Sequence, residues 1–482
     1  MNKNYWLLPL LALCLTGCVK DKKVAVASSH SSSNKNAHII TVKKDKNPKI
    51  IHQPDPTPNN PTPAPPPSNN NGGDTNTTPD NGNHPNTPAP APEPVPTPAP
   101  DNSGGANGNN NNNTPTPSSP NAPFKHGKFT TAKELLAYFA GLNGKGVLFG
   151  QEHGLDVSIS QEGKSGLESD VFAMTGKYPA LIGLGFYEYP LDKEKNAEYN
   201  GKIMGELIAE ADEVGAVVSV SGFWDNPMPG ANGTSDYSSV DLKRLLPGGD
   251  LNGTLNNWLD AVVYTKQYAV RKDGSHIPFL FRPLHEANGT WAWWYYERGG
   301  VDAYKQLFRY IVEYVKQKGN SDQILTVFAP NANFNGDSSR YLMLYPGDDV
   351  VDVLGYDGYD TNSSFLAKDK WVGEVVEDLA MMNKLAKSKG KIAALAEFGR
   401  EGSKMIQPSG NKDLTFYTDL LKGIKADPDA RKIAYMMTWA NWGGTPGAGF
   451  SAFTPWPGHE MESDFQAFER DEYTLFNRDI SQ

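Results

Sequence analysis

The chain has 482 residues with 45 basic and 55 acidic side chains, for a formal net charge of −10 at neutral pH. That balance, with no basic stripe interleaved with aromatic residues, argues against nucleic acid as a partner. There is no glycine-rich phosphate loop and no His or Cys cluster at metal-ligand spacing, so a reactive site would be built from carboxylates and rings, without cofactor or metal.

Lys3 is followed by an apolar run from Tyr5 to Leu15, too short to span a bilayer, and then by Leu15-Thr16-Gly17-Cys18. Such a run reads as a secretion signal. Its ending resembles the bacterial lipoprotein signal, in which the Cys becomes the mature N-terminus and carries lipid. Residues 1–17 are the expected signal peptide and Cys18 the expected anchor; an ordinary signal cut near Gly17 is the other reading. Cys14 lies in the removed part, which leaves the mature chain no disulfide, so its fold has to rest on its core. Residues 18–123, with tracts such as "PDPTPNNPTPAPPPSNNN", hold too few apolar side chains to offset the entropy of ordering and read as a disordered tether. A tethered lipoprotein belongs in the bacterial envelope. Val19 after the anchor, in place of the Asp associated with inner-membrane retention, points to the outer membrane with the domain exported.

From residue 124 to 482 the chain has ordinary apolar content and no second low-complexity break. Thr131-Ala132-Lys133-Glu134 has capping-box spacing and opens a helix, "AKELLAYFAGL". Eight short apolar runs then recur as candidate strands: "GVLFGQ" at 146, "PALIGLG" at 179, "AVVSVSG" at 216, "PFLFRPLHE" at 278, "ILTVFAP" at 324, "VDVLGYD" at 351, "IAALAEF" at 392 and "IAYMMTW" at 433. Amphipathic stretches separate them, for instance "AEYNGKIMGELIAEADEVG" and "VDAYKQLFRYIVEYVKQKG". Apolar strands alternating with helices predict a parallel sheet covered by helices. Eight repeats favour an α/β fold of the closed (β/α)8 TIM barrel type, with a doubly wound open sheet as the alternative.

In a barrel the chemistry sits where strands end. Glu286 falls at the end of the fourth strand, Asp357 and Tyr359 on the sixth, Glu397 on the seventh and Trp439 on the eighth. Two carboxyls facing each other across a barrel mouth suit glycoside hydrolysis, which needs one to protonate the leaving oxygen and one to attack or to activate water. Trp291, Trp293, Trp294, Trp439 and Trp442 provide indole faces on which sugar rings can stack, although packing in the core claims some of them.

At these residues the chain resembles a known family. "RPLHEANGTWAWW" is similar to the acid/base signature of family 26 glycoside hydrolases, best known as endo-β-1,4-mannanases, and "AEFG" at 396 to the segment that carries their nucleophile. "GVLFGQEHG", "YPGDDVVDVLGYDGYD" and "FTPWPGHEMESDFQAF" resemble the family too, so the likeness covers the whole of 124–482. It implies a monomeric catalytic domain cleaving β-1,4-mannosidic linkages in mannan, galactomannan or glucomannan by retaining double displacement, with the carboxyls about 5–5.5 Å apart. It also implies Glu286 as acid/base and Glu397 as nucleophile, with His285, Trp291, Tyr359, Asp357, Trp439, Asp225 and Asn226 binding substrate. Strand alternation allows another place for His285, buried behind the barrel wall. The chain departs from the family at Gly222-Phe223, where many members have Trp-His, and at Gly185, where an Asp is expected. These changes leave β-1,3-xylan or mixed-linkage β-glucan open as substrates of the same chemistry. A tethered polysaccharide-binding protein without turnover is the alternative of another class.

Overall fold

The computed structural model describes residues 129–161, 166–186, 196–231, 240–361, 368–400, 406–442, 450–477 and 479. The expected signal, the tether and Cys18 lie outside the described residues. Among the described residues no helix is long and apolar enough to cross a membrane.

Helix α1 (Ala132–Leu142) leads into β1 (Val147–Glu152), α2 (Asp170–Thr175), β2 (Leu181–Gly185), α3 (Ala197–Glu213) and β3 (Val217–Gly222). Then come α4 (Asn252–Tyr268), β4 (Phe279–Pro283), α5 (Val301–Gln317), β5 (Ile324–Phe328), α6 (Ser338–Leu342) and β6 (Val353–Asp360). The chain finishes with α7 (Lys368–Lys389), β7 (Ile392–Arg400), α8 (Phe416–Ala426), β8 (Tyr435–Thr438), α9 (Glu462–Glu469) and β9 (Thr474–Leu475). Each of the strands β1 to β8 pairs in parallel with the next, and β8 pairs back with β1. Closure decides for the (β/α)8 barrel over the open sheet. The short β9 was not foreseen: it pairs with Val147 and Leu148, on the stretch of β1 that precedes its pairing with β2.

Local chemistry explains the elements. The Thr131 hydroxyl accepts from Glu134 N, and Glu134 Oε2 accepts from Thr131 N, so the capping box forms as expected. Helix α1 buries Leu135 and Phe139 in the same cluster as Leu148, Leu181, Val217, Leu280, Leu325, Val353 and Tyr435, which alternate along the strands and fill the barrel floor. Each such side chain contributes about 1.5–3 kcal/mol by leaving water. The opposite faces of the strands, such as Phe149, Val218, Phe281 and Leu354, join the helices in a second core. Helix α5 supplies Tyr304, Leu307, Phe308, Ile311 and Val315 at spacings of three and four, a single apolar stripe.

Two irregularities set up the mouth. Strand β4 ends at Pro283, earlier than expected, because Leu284 and Glu286 take left-handed φ of 49° and 53°. Strand β7 carries a bulge: Leu395 pairs with Tyr356, but Glu397 pairs with Asp357, which leaves Ala396 as the extra residue. The register against β8 shifts in the same stretch, between Leu395 and Phe398. Both irregularities aim side chains that strict alternation would send elsewhere.

Candidate active site

Glu397 is held from two sides. Tyr359 of β6 donates its hydroxyl to Glu397 Oε2 at 2.6 Å. Arg282 of β4 crosses the barrel interior, donating from Nη2 to Glu397 Oε1 and from Nη1 to Asp357 Oδ2, the latter at 2.9 Å. Arg282 and Asp357 are fully buried and Glu397 nearly so. Alternation along β7 would place Ala394, Ala396 and Phe398 inward; instead the bulge turns Phe398 into the outer core and Glu397 into the cluster with Arg282. Arg282 Nε and Asp357 Oδ1 have no hydrogen-bond partner in this interior, so the cost of burying these charges is offset mainly by the bonds from Arg282 to Glu397 and Asp357, which restrict how Glu397 can move.

Glu286 sits on the turn after β4. Its backbone N–H donates to Ala329 O at 2.8 Å, while Oε2 accepts from Trp291 Nε1 at 2.6 Å and Oε1 from Asn331 Nδ2 at 3.0 Å. Asn331 is fixed in turn by Asn288: Asn331 N donates to Asn288 Oδ1, and Asn288 Nδ2 to Asn331 O, both at 2.8 Å. Trp291 folds back over the bare face of Gly289, where a methyl group would stand 2.3 Å from the indole. Two non-glycine residues with positive φ within three positions store of order 1–3 kcal/mol each. Such strain holds Glu286 away from the strand and toward the mouth.

His285 does not lie behind the wall. It brings a ring nitrogen within 4.8 Å of carboxylate oxygens of Asp357 and Glu397, which lie as close to each other. The left-handed residues on either side interrupt the alternation that would have turned it outward. Burial, reinforced by the Arg282 charge, holds its pKa well below 6.5, so the ring is neutral. Asp357 moves the other way. Burial raises its carboxyl well above the usual range; Arg282 opposes that, and Glu397 and Glu286 add to it.

The His285 shift makes a pH prediction. Below pH 6.5 the unfolded chain protonates this imidazole and the folded protein does not, so stability falls as pH drops from there toward the depressed folded value. The Tm advantage of wild type over His285→Gln should therefore shrink between pH 7 and pH 5. A constant difference would show that His285 takes a proton as readily folded as unfolded.

The expected stacking floor is smaller than the sequence indicated. Trp293 and Trp294 are fully buried, donating from their indoles to Trp224 O at 2.8 Å and His285 O at 2.6 Å. They are struts of the mouth and cannot meet a sugar. Trp291 is exposed, and Trp439, directly after β8, and Trp442 are half-buried. Trp442 faces the ring of His153 at 5.4 Å. In the departure after β3, Phe223 packs on His285 at 5.2 Å and Trp294 at 5.1 Å, and Gly222 is needed because a Cβ there would meet the Trp224 ring at 2.7 Å. Asp225 is half-buried; buried Asn226 accepts Met228 N at 3.0 Å and so shapes its own turn.

Arg282 and Asn331 were missed as site residues. Arg282 stands in "FLFRPLHE", where a cation in an otherwise apolar strand was the available signal; Asn331 left none, because its role depends on β5 ending beside the Glu286 turn.

Residues 126–442 match the pattern of glycosyl hydrolase family 26. A mannan endo-1,4-β-mannosidase of Bifidobacterium adolescentis is 44% identical over 336 residues, 68% of this chain and 32% of that protein. The chain thus spans only a third or so of that relative's length. Among solved structures, a modular endo-β-1,4-mannanase from Cellulomonas fimi is similar with TM-score 0.66 at 34% identity, over 73% of this chain and 76% of that one. The catalytic domain of a Bacillus sp. JAMB-750 endo-β-1,4-mannanase has TM-score 0.67 at 32% identity, over 74% and 95%. With a closed eight-stranded barrel, carboxyls gathered at its mouth and most of the domain within the family's pattern, the chain belongs to glycosyl hydrolase family 26.

Proposed function

We propose that the protein hydrolyses β-1,4-mannosidic linkages in mannan, galactomannan or glucomannan with retention at the anomeric carbon. The observation that carries this reading is the contrast between two carboxyls at one mouth. Glu397 is clamped by Arg282 and Tyr359 as an oriented anion, while Glu286 stands on a strained turn under an exposed indole. A Glu397 oxygen attacks the anomeric carbon as the glycosidic C–O bond breaks, and the leaving oxygen takes the Glu286 proton. Water then attacks the same carbon, Glu286 takes a proton from that water, and Glu397 departs as carboxylate. Trp291 packs in the subsite where the bond breaks, Asp357 and Trp439 complete that subsite, and Asp225 and Asn226 bind substrate. The two mannanases of known structure, similar across the whole barrel, support mannan as the substrate.

The domain acts as a monomer at the end of the 18–123 tether, anchored by lipid on Cys18 to the bacterial envelope, at the outer membrane, with the domain exported. The tether lets a membrane-held enzyme reach polymer that cannot diffuse to it.

The test is to incubate the purified domain from residue 124 with linear β-mannan, galactomannan, glucomannan, β-1,3-xylan and mixed-linkage β-glucan and to separate products by size. Release of manno-oligosaccharides alone upholds the reading. Cleavage of xylan or glucan with mannan intact transfers it to that substrate through the Phe223 departure, and no cleavage of any polymer leaves a binding protein. At finer scale, Tyr359→Phe deletes a hydrogen bond to a charged group, worth about 1.5–3 kcal/mol, so kcat on mannan should fall about 10- to 100-fold. An unchanged kcat would remove Tyr359 from the nucleophile's support.

A further inference from the structure

Glu152 closes β1 and is 1% exposed. Its partner across the ladder is Gly183 of β2, and a methyl group on Gly183 would stand 1.7 Å from Glu152 Oε2. The carboxylate lies over the bare face of that glycine, on the interior side of the barrel, and any larger residue there would displace it. Arg282 reaches the same interior from β4. Burial works against the Arg282 charge, and the negative charges of Glu397, Asp357 and Glu152 outweigh it, in that order. One guanidinium thus answers to three carboxylates, from β1, β6 and β7.

We propose that Glu152 is a positioning residue for Glu397: as the third carboxylate around Arg282, it offsets part of the guanidinium's hold on the nucleophile. The chemical reason is a conflict within the cluster. Arg282 orients Glu397 by donating to Oε1, but a cation bonded to an attacking oxygen also withdraws the electron density that the attack requires. A third anion in the same interior weakens that withdrawal while the hydrogen bonds that orient Glu397 stay in place. The inference rests on Glu397 as the nucleophile of the proposed reaction.

The other groups of the cluster are accounted for. Around Glu397 stand Arg282 of β4, His285 and Glu286 after it, Asp357 and Tyr359 of β6, and Tyr435 of β8, whose hydroxyl senses Arg282, Asp357 and Glu397. Strands β2 and β3 contribute Gly183 and Ser221, which do not titrate, and β5 contributes Leu325 and Val327. Among these, Glu152 is the anion that comes from the β1 side of the barrel.

The test compares kcat/KM against pH on β-mannan for wild type and Glu152→Gln, which keeps the volume and removes the charge. The acid limb should move about half to one pH unit toward lower pH, because the buried cluster around Arg282 then holds one anion fewer. Values of kcat should fall about 3- to 10-fold while KM moves less than twofold. Gly183→Ala, which pushes the carboxylate from its place without touching the cluster's other members, should move the limb in the same direction. A limb that superposes on wild type in either variant, whatever its Tm, or one that moves to higher pH, overturns the inference. Wild type that leaves mannan uncut fails the functional reading instead, and the two failures are told apart before any variant is made.

Discussion

Glu397→Ala should abolish turnover of β-mannan, by on the order of 10⁴-fold or more, while the variant still unfolds cooperatively. Its carboxylate is the one that Arg282 and Tyr359 hold, so no neighbouring group can take over the attack. Asp357 cannot substitute, since it is fully buried and its side chain is committed to Arg282. Glu286→Ala should behave differently. Loss of the proton donor disables departure of a sugar alkoxide, but an aryl β-mannoside whose phenol leaves without a proton should still glycosylate Glu397. Parallel assays on polysaccharide and on such an aryl glycoside separate the roles. If Glu397→Ala stays within about tenfold of wild type, or if the aryl substrate rescues Glu397→Ala in place of Glu286→Ala, the assignment is wrong.

Arg282→Met should cost the fold about 3–5 kcal/mol, the largest effect expected from a single substitution at the site. The cation is buried and bonds Asp357 and Glu397 at once; without it those two carboxyls lie buried close together with no cation bonded to them. They can respond only by taking up protons or by moving apart. Either response disarms the nucleophile, so kcat should fall about 10²- to 10³-fold even at temperatures where the variant is folded. Arg282→Lys should recover part of the stability and little of the rate, because an ammonium is a point charge and cannot hold two carboxylates in the plane of a fork. Chemical denaturation and kcat measured together on both variants check this. Wild-type stability in Arg282→Met would mean that the cluster is already relaxed without its cation.

Much of this molecule was legible from residue order. Apolar runs of strand length at regular spacing, with amphipathic stretches between them, identify eight strands and their helices, because local period follows directly from which face is buried. The capping box at Thr131 and Glu134 is a local interaction, and it forms as read. Both glutamates at the mouth were visible for the same reason: each lies in a short motif at a strand's end. What residue order could not show is where side chains point once strands bend. Glu397 faces Arg282 because a bulge at Ala396 reverses the alternation of β7, and a bulge exists only relative to the partner strands beside it. His285 and Glu286 share the mouth because two left-handed residues turn the chain after Pro283, which nothing in "RPLHE" announces. Trp293 and Trp294 look like Trp291 in the sequence, yet closure of the barrel buries two of the three and leaves one for a sugar. Periodicity and capping act within a few residues and are written along the chain. The charge cluster joins β1, β4, β6 and β7, whose members are far apart in sequence, and only the closed sheet brings them together.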